Sequence, residues 1–294
     1  TGGPKLQNML RLSNQHGKYI FYDNLSENVF ELLGESAMEF VAQLVGSRDP
    51  NDKLTIGYGS QGFVPAGAVL PYTVRFENEP KATAPAQKIV ITDTLDDNLD
   101  LDTLELTSFG LGNRPSVQIP PGLSEYRTQL DFRPEGIHAV ADVRLSLDRS
   151  TRELRAEFIA LDPDTGWMPD DVMTGLLYPN DSTGRGDGFI SYSVKPKAGL
   201  ASGTVIENEA RIVFDYNDPI DTPAVRNTID TGLPASAVTA LPAKTSVPNF
   251  TVAWSGQDAD SGVQRYDIYV ATDGGPYVTW LRGTDKTSDT FSGE

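Results

Sequence analysis

The chain has 294 residues, with 41 acidic against 24 basic side chains, a formal charge of −17, two histidines and no cysteine. That acidity leaves no basic face for phosphate and so excludes nucleic acid as a partner. The absence of cysteine excludes disulfides, thiolate metal sites and cysteine nucleophiles. The length allows two or three domains with cores of their own.

Residues 1–47 read differently from the rest. "KYIFYD" (Lys18–Asp23) has strand character. Phe30, Leu33, Ala37, Val41 and Leu44 then recur at helical spacing, with Ser26 as N-cap and Gly46 as stop, which predicts one short amphipathic helix. Thr1 opens into "TGGPKLQNML" without a signal peptide, as in a mature chain or a piece of a longer one. No apolar run approaches the roughly 18 residues of a membrane helix.

From about Asp49 the text becomes β-rich. In "LPYTVRFEN" (Leu70–Asn78), Tyr72, Val74 and Phe76 alternate with Thr73, Arg75 and Glu77, the period-two pattern of a strand with one buried face. "AQKIVITDTL", "HAVADVRLSLD", "RELRAEFIALD", "GFISYSVKP" and "ENEARIVFD" repeat it, separated by Asn, Asp, Gly and Pro. "TGLPASAVTALPAK" (Thr231–Lys244) is a linker by composition. Beyond it, "FTVAWSGQD" and "VQRYDIYVATDGGPYVTWL" predict a strand and a hairpin turning at Asp273, Gly274 and Gly275. The fold class expected is mostly β: tandem immunoglobulin-like, Greek-key sandwiches with one N-terminal helix.

"PAGAVLPYTVRFENEPKATAPAQKIVITDTLDDNLD" resembles the DUF11-type repeat modules of large secreted bacterial surface proteins. The resemblance rests on Tyr72–Asn78, Ala84–Ala86 and Ile89–Leu95, with "IENEARIVFDYNDPIDTPAVRNTID" as the module's closing segment. It spans about 49–230, and residues 111–185 read as an insertion. The tail is similar to fibronectin type III-like modules, with Trp254 as core Trp and Tyr266 on the partner strand. Residues 232–294 fall short of the roughly 90–100 such a module needs, which predicts an incomplete sandwich with an open edge. Three segments follow: 1–47, part of a preceding module; 48–231, an elongated sandwich; and 232–294, an incomplete one. The resemblance implies a non-catalytic, extracellular structural or adhesive module. Its partners would be other modules or chains at sandwich edges; the open edge itself reads as the place for a strand donated by another chain, with a truncated or proteolytic end as the ordinary alternative.

Hard cations want oxygen ligands, and this chain gathers carboxylates at turns, so calcium is the cofactor to test. The candidate ligands are Asp49, Asn51 and Asp52; Asp215, Asn217, Asp218 and Asp221; and Asp258 with Asp260. Further groups are Asp93 to Asp102 and Asp162 with Asp164. None is an EF-hand: Pro219 and Ile220 stand where a ligand and the turn glycine belong. Capping and turn duty is the ordinary alternative for each cluster. Three Asp-Pro bonds are chemically labile, yet Asp-Pro is also a common turn start. The same holds for Arg185-Gly186-Asp187, an integrin-type tripeptide in a glycine-rich turn before "FISYSV".

Trp167, in the polar loop "LDPDTGWMPDD", is a candidate sugar-stacking platform, which sets a glycan-binding accessory module beside the structural reading. A glycosidase would need two carboxyls facing across a cleft, and the insertion is where a carboxylate-based hydrolase would place them. His16 and His138 lie far apart, and neither a nucleophile elbow nor zinc spacing supports them. A cysteine-free sandwich can still be cross-linked by an amide between Lys and Asn beside an acidic group. Lys88, Lys195 and Asn208 are the strand residues available for that, with solvent-facing lysines as the ordinary alternative.

Overall fold

The computed structural model describes residues 10–14, 17–18, 51–243, 247–271 and 275–292. The expected N-terminal helix, Asp49, His16 and the Asp273–Gly274 turn lie outside them. Among the described residues the regular elements are all strands, joined by turns and loops, apart from one 3-10 turn at Arg133–Glu135.

Alternating sequences build two facing sheets. One has the order β15 (Ile220–Asp221), β14 (Arg211–Phe214), β6 (Lys88–Thr94), β11 (Glu153–Leu161), β10 (Val140–Asp148), β9 (Glu125–Asp131). The other runs β3 (Asp52–Thr55), β5 (Leu70–Glu77), β12 (Asp187–Pro196), β7 (Leu99–Leu111), β8 (Val117–Gln118). Burial alternates residue by residue along β11, as the sequence pattern requires of a strand with one core face. Aromatic side chains join the sheets: Phe76 of β5 packs on Phe158 of β11 and Phe214 of β14, and Phe109 of β7 packs on Phe158. Within the stretch 111–185, β9, β10 and β11 make half of the six-stranded sheet.

Two glycines permit this packing. A methyl group at Gly188 would run into the Phe76 ring, and one at Gly110 into the Phe189 ring. Backbone must lie directly under an aromatic face at both places, so no side chain fits.

A small third sheet is made of β13 (Val205–Asn208), β16 (Val225–Asp230) and β4 (Phe63–Pro65), with β16 and β4 parallel. Thr231 then leads into the second β unit. Its first sheet is β17 (Ala235–Val238), β18 (Asn249–Gln257) and β21 (Ser288–Ser292). Its second is β2 (Gly17–Lys18), β1 (Leu10–Asn14), β19 (Val263–Val270) and β20 (Val278–Thr284). Trp254 is 2% exposed at the centre of this unit, edge-on to Tyr266 and Trp280, and its Nε1 donates to the Lys286 carbonyl at 2.8 Å. The edge of β19 does not stand open. β1, from the start of the same chain, pairs with it antiparallel from Leu10 opposite Ile268 to Asn14 opposite Val263.

Candidate functional site

The carboxylates singled out in the sequence are largely spent on turns and ion pairs. Asp215 adopts a left-handed backbone (φ 51°), which Asp tolerates better than most residues. Its Oδ1 accepts the N–H groups of Gln87 and Lys88 at 2.9 and 2.8 Å. Asp221 is held by Arg211 at 2.7 and 3.0 Å. Asn217 and Asp218 stand exposed in the turn between β14 and β15. The stretch thus forms a hairpin and does not gather ligands around one point. Likewise, Asn51 accepts the Glu77 N–H and Asp52 is clamped by Arg75. The tripeptide at Arg185–Asp187 is tied into a turn, with Asn180 bonded to Gly186 and Asp187 and with Arg185 paired to Asp181.

Asp258 and Asp260 have different surroundings. Asp258 Oδ1 accepts three successive N–H groups, from Asp260, Ser261 and Gly262. Its Oδ2 is buried without a hydrogen-bond partner. Asp260 Oδ2 accepts the Ser202 hydroxyl at 2.6 Å, across from the first sandwich. A methyl group placed on Gly232 would lie 3.0 Å from Asp230 Oδ1, 3.6 Å from Asp258 Oδ2 and 3.8 Å from Asp260 Oδ2. Three carboxylates, Asp230 included, therefore approach the joint between the two β units. Asp230 Oδ1 accepts the Gly232 N–H and Asp260 Oδ2 the Ser202 hydroxyl, so Asp258 Oδ2 is the oxygen of the three left without a partner.

Trp167 is 77% exposed in the loop after β11, and Val172 and Met173 further along the same loop are exposed as well. His138 Nε2 lies 3.0 Å from Asp164 Oδ2 in the same loop. With Asp162 these two form the group, among the described residues, whose ligand atoms fall within 4.8 Å of one another. The sequence hides it, because His138 precedes β10 and the aspartates follow β11, and only the hairpin brings them together. Asp162 Oδ1 already accepts the Asp164 and Thr165 N–H groups, which hold its carboxyl below the usual range.

The least expected constellation is buried between the sheets. Lys53 of β3 places Nζ 2.6 Å from Asp93 Oδ2 of β6, with both side chains fully shielded. Tyr192 of β12 donates to the same oxygen at 2.6 Å and stacks on Tyr72 of β5. The Nζ atom sits 5.0 Å from the Tyr72 ring centre. Burial pushes the Lys53 amine below its ordinary value, against the opposing pull of Asp93. Burial, then the Asp93 charge, push Tyr192 well up, so its hydroxyl stays a donor. Asp93 Oδ1 has no partner. Asn208, at the end of β13, is 2% exposed and neighbours Tyr72, whose hydroxyl donates to Asn227 Oδ1 at 3.2 Å; Asn208 Oδ1 accepts the Asp96 N–H. Its Nδ2 is nevertheless buried without a hydrogen-bond partner.

Of the sequence candidates for a Lys–Asn pair, Asn208 is in this core. Lys195 is exposed and Lys88 half-buried. The buried lysine is Lys53, which the sequence presents as one polar residue in the turn-like "PNDKL".

No curated protein matches the chain. Among solved structures it is similar to the collagen-binding domain from a Staphylococcus aureus adhesin, at 12% identity over 63% of this chain and 99% of that one, with a TM-score of 0.32. It is similar to the group B streptococcus pilus 2b backbone protein at 15% identity over 82% and 88%, TM-score 0.34. The C-terminal domain of the Streptococcus pyogenes antigen I/II-family protein AspA matches at 11% identity over 62% and 47%, TM-score 0.34. At these values the likeness carries no ligand over to this chain. Residues 49–115 and 174–228 match the family described as a domain of unknown function, DUF7619, and those two segments hold Lys53, Asp93 and Asn208.

Proposed function

We propose that this chain is a non-catalytic structural module of an extracellular bacterial protein, one that spaces or displays partners through rigid β units. The observation that carries this reading is the use made of its acidic loops. Asp52, Asp148, Asp162, Asp181, Asp215 and Asp221 are each committed to backbone N–H groups or to an arginine. Carboxylates so committed build turns, and a hydrolase needs a pair left free to face a substrate. Calcium bound by Asp230, Asp258 and Asp260 would fix the angle between the two units, supported by the orphaned Asp258 Oδ2. Pulling the full chain from its two ends in a single-molecule force experiment tests the reading. A load-bearing module unfolds at high force, and more so with calcium present. Unfolding at the low force of an ordinary soluble enzyme domain would remove it.

One observation favours a second reading. Trp167 projects into solvent, which a sugar-stacking residue must do. Quenching of tryptophan fluorescence by a panel of soluble polysaccharides, lost in Trp167→Ala, would establish glycan binding in place of a purely structural role.

A further inference from the structure

The buried polar cluster is more than a salt bridge requires. A buried lysine–aspartate pair is costly to desolvate and is ordinarily compensated by hydrogen bonds to every remaining polar atom. Here two atoms of the cluster, Asp93 Oδ1 and Asn208 Nδ2, are left without partners inside the core. An unmet amide, a fully shielded amine and a shielded carboxyl, all set around Tyr72, are the reactants and the proton carrier of an amide exchange.

We propose that Lys53 and Asn208 are joined by an intramolecular amide bond, formed by the chain itself with Asp93 as proton carrier. The amine of Lys53 attacks Cγ of Asn208; the Nζ–Cγ bond forms and the Cγ–Nδ2 bond breaks. Asp93 takes the proton from the attacking nitrogen and delivers it to Nδ2, which leaves as ammonia. The exchange is redox-neutral and needs no co-reactant. Three features support it. Asp93 Oδ2 already holds Nζ at 2.6 Å, so the proton has a direct path. Burial favours the neutral, nucleophilic amine. Asn208 Oδ1 is anchored by the Asp96 N–H, a donor that polarises the carbonyl under attack. Tyr192, donating to Asp93 Oδ2, is a positioning residue. The bond would tie the edge strand β3 of the five-stranded sheet to β13 in the small sheet, a cross-link in a chain without cysteine. It goes beyond the functional reading above and holds whether the module spaces, displays or binds.

Intact mass spectrometry of the denatured full chain tests it without any variant. The expected mass is that of the sequence less one ammonia, and proteolysis should yield a branched peptide linking the Lys53 and Asn208 segments. Asp93→Ala and Asn208→Ala should each retain the full mass while circular dichroism shows them folded. A wild-type chain at full mass overturns the proposal. So does loss of one water with a branch at Asp93, or loss of ammonia without any branched peptide, as a succinimide at another asparagine would give.

Discussion

Replacing Lys53 with methionine tests how much the buried cluster holds. Lys53 and Asp93 are both fully shielded, 2.6 Å apart, and Asp93 has one other hydrogen bond, from Tyr192. Methionine fills most of the volume but strands the carboxylate in a low-dielectric interior. Breaking one partner of such a pair costs about 3–5 kcal/mol. The same variant cannot form the amide to Asn208. By the chain-entropy relation for cross-links, that amide, closing about 155 residues, contributes about 5 kcal/mol. Asn208→Ala removes this second part while keeping the ion pair, so it should lose about 5 kcal/mol and stay folded. Lys53→Met should lose both parts, about 8–10 kcal/mol, against a typical domain stability of about 5–15 kcal/mol. Equilibrium urea unfolding of the three chains, followed by far-ultraviolet circular dichroism, gives the differences. If Lys53→Met lies within about 1 kcal/mol of wild type, the buried pair carries no weight and the reasoning from burial and geometry fails.

Three further outcomes follow from the same structure. Gly188→Ala should destabilise the first sandwich by about 1–3 kcal/mol or more, because a methyl group there runs into Phe76, itself 1% exposed and packed on Phe158; an unchanged urea midpoint would refute this. Hydrogen bonds from Arg133 hold the Asp131 carboxyl down to about 2. A depressed carboxylate stabilises the fold above its unfolded value and loses that contribution as pH falls through about 2. A carboxyl NMR titration should therefore find a midpoint near 2 that returns toward 3.8 in Arg133→Ala. Chelation with EDTA should lower the melting temperature of the wild-type chain and leave Asp258→Asn unmoved. Equal response of both chains would separate any calcium effect from the joint.

How much of this was legible in the sequence depends on whether the signal was local. The alternation of Tyr72, Val74 and Phe76 places all three in the core, and each is nearly fully buried. The same holds for Leu154, Ala156 and Phe158. Period two is a property of neighbouring residues, so the text records it. Trp254 was legible as a core residue for a similar reason, since a lone tryptophan inside an alternating run has few other places to go. Register and sheet partner are not local. Nothing in "LRLSN" announces that it will pair with Val263–Val270, and without that pairing the last unit reads as incomplete. The group at His138 is split across a hairpin in the same way.

Lys53 shows the same limit where chemistry is concerned. Between Asn51, Asp52 and a following strand, a lysine reads as a solvated charge, because lysine almost never lies fully buried without a partner. Its partner is 40 residues away on the opposite sheet. The partner's own motif, "ITDTL", gives Asp93 at an inward position of an alternating strand, where a carboxylate is out of place unless something charged meets it. That local conflict between residue type and burial pattern was the readable signal. An inward aspartate in one strand demands a cation or a proton, and in this sandwich the fold supplies Lys53.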